Sequence, residues 1–138
     1  MIINFSDIED AFFFVGSDSY GMNTAILNKD TGQIYYRSEM GDLNEIDENE
    51  IDWDNCIEIP HKNDLDLGQK LVFEFVENHL DDEYDLVRQI FRKRGAYSRF
   101  KNLLASRGLL QRWYDFENQH EEQALRSWCK MNGLEISG

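Results

Sequence analysis

The amino-acid sequence predicts an α+β fold, in which an N-terminal helix and a small antiparallel sheet of about three strands precede a C-terminal bundle of about four helices. Alternating β-branched and aromatic residues bounded by turn residues occur before residue 60, which indicates the strands. Hydrophobic residues at helical spacing occur from residue 63 onward, which indicates the bundle. The chain has 138 residues, 41% of them hydrophobic, so we expect one domain with an acidic α/β part (1–60) and a helical part (61–138).

The first element is predicted to be a short helix. Ser6 and Glu9 have the Ser-x-x-Glu spacing of a capping box, which places the helix start at Ser6. Apolar residues at helical spacing follow as far as Val15, and Gly16 is a natural stop. Residues 12–14 are three consecutive Phe, so a buried strand over residues 11–15 is the alternative interpretation.

A β-hairpin is predicted over residues 22–38. Two β-forming runs, 22–28 and 33–38, flank a short polar turn that contains Gly32. The alternation sets two residues of the first run opposite two of the second, namely Ala25 and Leu27 opposite Ile34 and Tyr36. Residues 56–59 also alternate, and they end at the only proline of the chain, which predicts a third strand at a sheet edge.

Residues 39–54, called here the acidic loop, separate the hairpin from the third strand. Their acidic composition solvates readily and resists strand pairing. We expect a loop that is pinned by its few apolar side chains, Leu43, Ile46, Ile51 and Trp53. A calcium loop is excluded, because the sixth position counted from Asp42 or Asp47 holds an aspartate where glycine is required.

Four helices are predicted after residue 62. Asn63 or Asp64 caps the first, Asp81 or Asp82 caps the second, and glycines at 95, 108 and 133 end the second, third and fourth. The residues expected to face inward are Gly68, Leu71, Val72, Phe75, Val76, His79, Leu80, Tyr84, Val87, Ile90, Phe91, Tyr97, Phe100, Leu103, Leu104, Leu109, Trp113, Phe116, Ala124, Leu125 and Trp128.

The charges are segregated along the chain. The formal net charge is -13, and residues 1–60 contain 14 acids against two bases. Residues 86–114, called here the basic segment, contain no acid and eight cations, Arg88, Arg92, Lys93, Arg94, Arg99, Lys101, Arg107 and Arg112. Such clustering requires solvent, an acidic surface or a polyanion to offset the repulsion between like charges.

The basic segment supplies the main candidate binding residues. Cations on two successive helices and at the corner that joins them are expected to face away from the core, with one tyrosine ring beside them, and the set is Arg88, Arg92, Lys93, Arg94, Tyr97, Arg99 and Lys101. They either pair with the acidic loop and with helix-end carbonyls, or contact phosphates and bases. We therefore predict a non-enzymatic protein-binding or regulatory module whose partner is another protein or itself. An RNA- or DNA-binding protein that uses residues 88–112 is the alternative.

A second candidate site precedes the first helix of the bundle. His61 and Lys62 are placed to hold an anion at the helix start, and His61 with Asp64 has the composition of a base and its carboxylate partner. A small hydrolase centred on His61 and Asp64 is thus the third hypothesis, although the sequence favours a protein that is not an enzyme. No nucleophile elbow, glycine-rich phosphate loop or metal-spaced histidine pair occurs, so we expect no metal and no cofactor.

The cellular setting follows from the cysteines and the apolar runs. Cys56 and Cys129 lie far apart and outside any CxxC motif, which is typical of thiols in a reducing compartment. The longest apolar run, residues 11–15, is too short to span a membrane, and the N-terminus lacks a signal-peptide pattern. These features predict a cytoplasmic protein without a membrane partner.

Two stretches carry a resemblance to a known family. IPHKNDLDLG (59–68) and FRKRGAYSRFKNLL (91–104) resemble an uncharacterised family of small, acidic, bacterial cytoplasmic proteins. The resemblance implies a bacterial cytoplasmic protein, and it brings no known activity, cofactor or catalytic residue. Function must therefore be inferred from the residues themselves.

Overall fold

A computed structural model of the protein describes residues 1–41 and 43–138. The fold is α+β: a helix near the N-terminus, a three-stranded antiparallel sheet, four further helices and a small two-stranded parallel sheet, which confirms the predicted class. The chain forms two compact units. The N-terminal unit contains Met1–Leu65 and Ala124–Gly138, and the helical unit contains Asp66–Gln123.

The N-terminal unit begins with a short strand and a helix, β1 (Ile2–Asn4) and α1 (Phe5–Gly16). Helix α1 starts earlier than the capping-box pattern indicated, because Asn4 is the N-cap and its side chain accepts the Ser6 N–H at 3.1 Å. Ser6 as the cap was therefore wrong. The helix itself is confirmed over the strand alternative, since one face is buried (Phe5, Ile8, Ala11, Phe12 and Val15) while Phe13 is 52% exposed.

The antiparallel sheet has the order β3-β2-β4, with β2 (Asn23–Asn28), β3 (Ile34–Ser38) and β4 (Cys56–Glu58). The predicted hairpin and its register are confirmed, because Ala25 pairs with Tyr36 and Leu27 with Ile34. Gly32 has φ 76° in the connecting turn, a conformation that glycine adopts without steric cost. Strand β4 lies at an edge of this sheet, as we predicted from the proline that follows it.

The acidic loop is anchored differently from the prediction. Of its apolar residues, Ile46 is buried, whereas Leu43 and Trp53 are 42% and 50% exposed. Polar contacts replace the expected packing: Arg37 of β3 forms a β-bridge with Asn44 and ion pairs with Glu39 and Glu48, at 3.4 and 3.5 Å. Asp42, one of the two acids considered as a calcium-loop start, lies outside the described residues.

The sequence did not indicate the parallel pairing of β1 with β5 (Glu135–Ser137), in which Ile3 lies opposite Ile136. The segment that leads to β5 contributes buried Leu125 and Cys129 to this unit. In addition, the Arg126 guanidinium lies 4.0 Å from the centre of the Phe5 ring. Residues near both ends of the chain therefore complete one core.

The helical unit contains α2 (Gln69–His79), α3 (Tyr84–Ile90), α4 (Ala96–Ser106) and the first part of α5 (Leu110–Met131), so the four predicted helices are confirmed. The predicted caps are wrong, because the N-caps of α2 and α3 are Gly68 and Glu83, and neither makes a side-chain capping bond. Helix α3 also ends at Ile90 rather than at the predicted glycine, Gly95.

Aromatic rings form the core of the helical unit. Phe75, Phe100 and Trp113 are fully buried, and the Trp113 ring lies edge-on to the other two at 5.3 Å between centroids. His79 was expected to face inward, but it is exposed in the last turn of α2, although its ring lies tilted against that of Phe75 with 4.6 Å between centroids. Within the described residues, no helix has the length and apolar character needed to cross a membrane.

Candidate functional site

The corner between α3 and α4 holds the densest positive charge of the chain. After α3 the backbone forms two further hydrogen bonds of the turn type. The Arg92 N–H donates to the Gln89 carbonyl at 3.2 Å, and the Lys93 N–H donates to the Ile90 carbonyl at 3.4 Å. Gly95 then reverses the chain with φ 73°. The left-handed conformation lets α4 begin at once, which brings Arg92, Lys93 and Arg94 onto a tight surface turn.

Arg99 holds this corner together. Its guanidinium returns across the turn and donates to two backbone carbonyls, those of Ile90 at 3.1 Å and Arg94 at 2.9 Å. Arginine in this position satisfies acceptors that the end of α3 would otherwise leave to water. Arg99 is exposed, as predicted, and of the alternatives considered for its charge it takes the pairing with backbone carbonyls at a helix end.

Arg92, Lys93 and Arg94, called here the corner cations, are exposed. Within residues 1–41 and 43–138, none of the three makes an ion pair or a side-chain hydrogen bond. Three adjacent positive charges on one turn repel each other, and none of them has an ion-pair partner among the described residues. This cluster is the part of the predicted basic surface that is available to a partner.

Other cations of the basic segment have partners within the helical unit. Arg88 lies 3.7 Å from the Asp85 carboxylate, and Arg107 forms a two-pronged ion pair with Glu83. Lys101 lies 5.7 Å from the centre of the Tyr114 ring, within the range of a cation–π contact. Positive charge on α3 and α4 is therefore partly neutralised, whereas that of the corner is not.

Tyr97 was proposed as a ring on which a base could stack. The side chain is 38% exposed, and its ring stands at 89° to the Phe91 ring with 5.1 Å between centroids. Burial, with a smaller contribution from Glu117, raises the pKa of Tyr97. The ring is thus mainly a packing group next to the corner, and only part of its surface faces solvent.

His61 lies in the N-terminal unit, and the expectation of a surface histidine is wrong: the residue is 5% exposed. Nδ1 accepts the Asn63 N–H at 3.1 Å, so Nε2 carries the proton and donates to the Asp18 carbonyl at 3.1 Å. The His61 N–H donates to the Asp64 carboxylate at 3.0 Å. Since both ring nitrogens are engaged by the backbone, the imidazole has no lone pair with which to accept a proton from a substrate.

The anion site proposed at His61 and Lys62 does not form at a helix start. His61 precedes a 3₁₀ helix, Lys62–Leu65, of which Lys62 is the first residue, and α2 begins only at Gln69. Lys62 is half-buried, and its aliphatic stem lies against Gly16 at the end of α1. The donors that a helix N-terminus would offer to an anion are therefore absent from this position.

A cavity of about 380 Å³ opens beside His61 within the N-terminal unit. Its apolar lining consists of Val15, Gly21, Ile59, Pro60 and Leu65, its rings are Tyr20, His61 and Trp128, and its polar residues are Asn23, Glu58 and Asp64. The charge of Asp64, together with a hydrogen bond that it accepts from the Tyr20 hydroxyl, raises the pKa of Tyr20, and Glu58 adds to the effect.

Sequence reasoning did not find the cavity residues other than His61 and Asp64. Tyr20 lies in a turn, Trp128 belongs to the segment after residue 123, and no local pattern connects them. Comparison of the chain with protein-family models, with curated proteins and with solved structures gives no match. The resemblance to the uncharacterised bacterial family remains an expectation, and function rests on the geometry alone.

Proposed function

We propose that the protein is a non-enzymatic binding module that uses its corner cations to dock an acidic segment of a partner protein. The observation that supports the proposal is the exposure of Arg92, Lys93 and Arg94 without a side-chain partner within the described part of the chain. Arg99 holds the corner by its two backbone bonds, so the three charges are displayed on an ordered turn. Order of this kind lowers the entropy that binding must remove.

A short acidic segment fits this surface better than a nucleic acid does. The whole chain carries a formal charge of -13, which repels a long polyanion, whereas a few carboxylates can approach one cationic corner. Tyr97 is packed against Phe91, so base stacking at this corner has little free aromatic surface to use. RNA or DNA binding is therefore the alternative that an experiment has to exclude.

The partner is another protein or a second copy of this chain, since the acidic loop has the composition that the corner requires. We place the interaction in the bacterial cytoplasm, which agrees with two free cysteines that need a reducing compartment. The engagement of both His61 ring nitrogens by backbone groups argues against a hydrolase centred on His61 and Asp64.

The proposal is tested by fluorescence anisotropy with two labelled probes at low salt, an oligoglutamate peptide and a single-stranded RNA of similar charge. Wild type is compared with a triple variant in which the corner cations become Gln. Neutralising three charges should weaken peptide binding by roughly tenfold or more, given about 1 kcal/mol per charge in water and partial screening by salt. High salt should weaken wild-type binding as well.

A matched control variant changes three exposed lysines elsewhere, Lys29, Lys70 and Lys130, to Gln, so that both triple variants have the same net charge. The control should bind the peptide as wild type does. Equal weakening in both variants would mean that net charge, not the corner, drives binding, and would refute the proposal. RNA binding that exceeds peptide binding and is lost only in the corner variant would replace it with the nucleic-acid alternative. Sedimentation velocity of the protein alone shows whether a second copy is the partner.

A further inference from the structure

The cavity beside His61 combines three features that occur together in sites for organic cations. Its volume of about 380 Å³ lies within the usual range of small-molecule pockets. Buried apolar residues, Val15, Ile59 and Pro60, line it together with the Tyr20 and Trp128 rings. Two carboxylates, Glu58 and Asp64, supply negative charge, and no Lys or Arg is found among its lining residues in the described part of the chain.

The histidine in this cavity does not offset the negative charge. His61 accepts a backbone N–H at Nδ1 and donates to a backbone carbonyl through Nε2, so the hydrogen bonds hold the neutral imidazole. Its ring packs against Tyr20 with 5.4 Å between centroids, and Asp64 is near enough to raise the pKa of the Tyr20 hydroxyl. These contacts fix one aromatic wall next to one of the two carboxylates.

We infer that this cavity binds a primary alkylammonium group, with the ammonium at Glu58 and Asp64 and the alkyl part against the apolar and aromatic lining. A primary ammonium has three N–H donors and therefore matches several oxygen acceptors. Asn23 provides a further acceptor, because its Nδ2 already donates to the Phe14 carbonyl and to the Ser17 hydroxyl, at 2.9 and 3.0 Å, which leaves Oδ1 for a ligand. Trp and Tyr rings add the attraction that a cation feels toward a π-face.

The primary alkylammonium group could belong to a free small amine or to a lysine side chain of a partner protein. The cavity residues belong to the N-terminal unit and the corner cations to the helical unit. Failure of amine binding would therefore leave the proposed docking of an acidic segment untouched, and the reverse also holds. The two sites also select opposite charges.

The test is a two-dimensional amide NMR titration of the full chain with n-butylammonium, with n-butanol as the neutral probe of similar size. Saturable shifts should appear at the amides of Tyr20, Gly21 and His61. Glu58→Gln and Asp64→Asn should each weaken binding roughly fivefold, the effect of one unit charge at about 4 Å in water. Glu50→Gln removes an exposed acid that does not line the cavity and should leave the affinity unchanged.

Asp64→Asn keeps an oxygen for the His61 N–H, and Glu58 is an exposed side chain, so both variants should remain folded. Titration with N-acetyl-lysine amide identifies the source: tighter binding than n-butylammonium indicates a protein lysine, and weaker binding indicates a free amine. Shifts that do not saturate, equal shifts with n-butanol, or equal weakening by Glu50→Gln would overturn the inference.

Discussion

Arg99 should stabilise the helical unit through the corner between α3 and α4, and the size of the effect follows from its two hydrogen bonds. The guanidinium donates to the carbonyls of Ile90 and Arg94 at 3.1 and 2.9 Å. Hydrogen bonds to charged groups are worth about 1.5–3 kcal/mol each, but the carbonyls of this exposed corner regain water when the side chain is removed. We therefore expect Arg99→Ala to lower the free energy of unfolding by about 2 kcal/mol in urea denaturation followed by circular dichroism.

Arg92→Ala is the matched control, because it removes an exposed arginine of the same corner that makes no side-chain contact in the described part of the chain. Its effect should stay within about 0.5 kcal/mol. Both bonds come from the Arg99 Nη2 atom, and Arg99→Lys keeps the charge but ends one bond short of that atom, so most of the destabilisation should remain. Equal stability of Arg99→Ala and Arg92→Ala would refute the view that Arg99 acts through the backbone of the corner.

Two further predictions concern the N-terminal unit, and both use the same denaturation assay. Asn4→Ala should cost about 1 kcal/mol of stability because Asn4 caps α1, whereas Ser6→Ala should cost less; the reverse order would restore Ser6 as the cap. His61→Ala should cost about 2–3 kcal/mol, because it removes a buried ring and leaves the Asp18 carbonyl without its donor, while His79→Ala at an exposed position should cost under about 1 kcal/mol. An unchanged unfolding midpoint for His61→Ala would contradict the buried position.

Elements whose contacts are local in sequence were predictable. The hairpin around Gly32 has its turn residues and both strands within 16 residues of each other, so alternation and turn chemistry were enough to give its register. The buried faces of α2 and α4 followed from helical spacing in the same way, because each helix presents its apolar side chains on one stripe.

Features that depend on distant partners were not predictable. Strands β1 and β5 have three residues each, which is too short for an alternating pattern to indicate a strand. They are strands because they pair with each other, and almost the whole chain lies between them. The His61 ring bonds to the Asp18 carbonyl, 43 residues away in the sequence. The residues next to His61 gave no sign of this contact, and they therefore suggested an accessible anion site. The N-cap of α1 was assigned to the wrong residue, because Ser6 and Asn4 are both of a type that caps helices and lie two positions apart. In the structure Asn4 Oδ1 accepts hydrogen bonds from the Ser6 N–H and hydroxyl.

Composition indicated where the cations cluster, but not which of them the fold bonds to its own groups. The basic segment was visible from composition, and three of its cations, Arg92, Lys93 and Arg94, are free in the sense the prediction required. Composition does not show which exposed cations also bond to the fold's own backbone, as Arg99 does with the Ile90 and Arg94 carbonyls. The cavity beside His61 gave no signal in the sequence, since its lining residues are spread from Val15 to Trp128.

The pairing of β1 with β5 has a consequence for the order in which the chain can fold during synthesis. Residues 66–123 are contiguous, so the helical unit has all its parts once that stretch has left the ribosome. The N-terminal unit emerges first, yet its parallel sheet and the packing of Leu125 and Cys129 are complete only after residues 125–137 have been translated. During that interval the Phe5 ring lacks the Arg126 side chain and β1 lacks its partner strand, so the nascent N-terminal segment is the part of this protein for which a chaperone would be most useful.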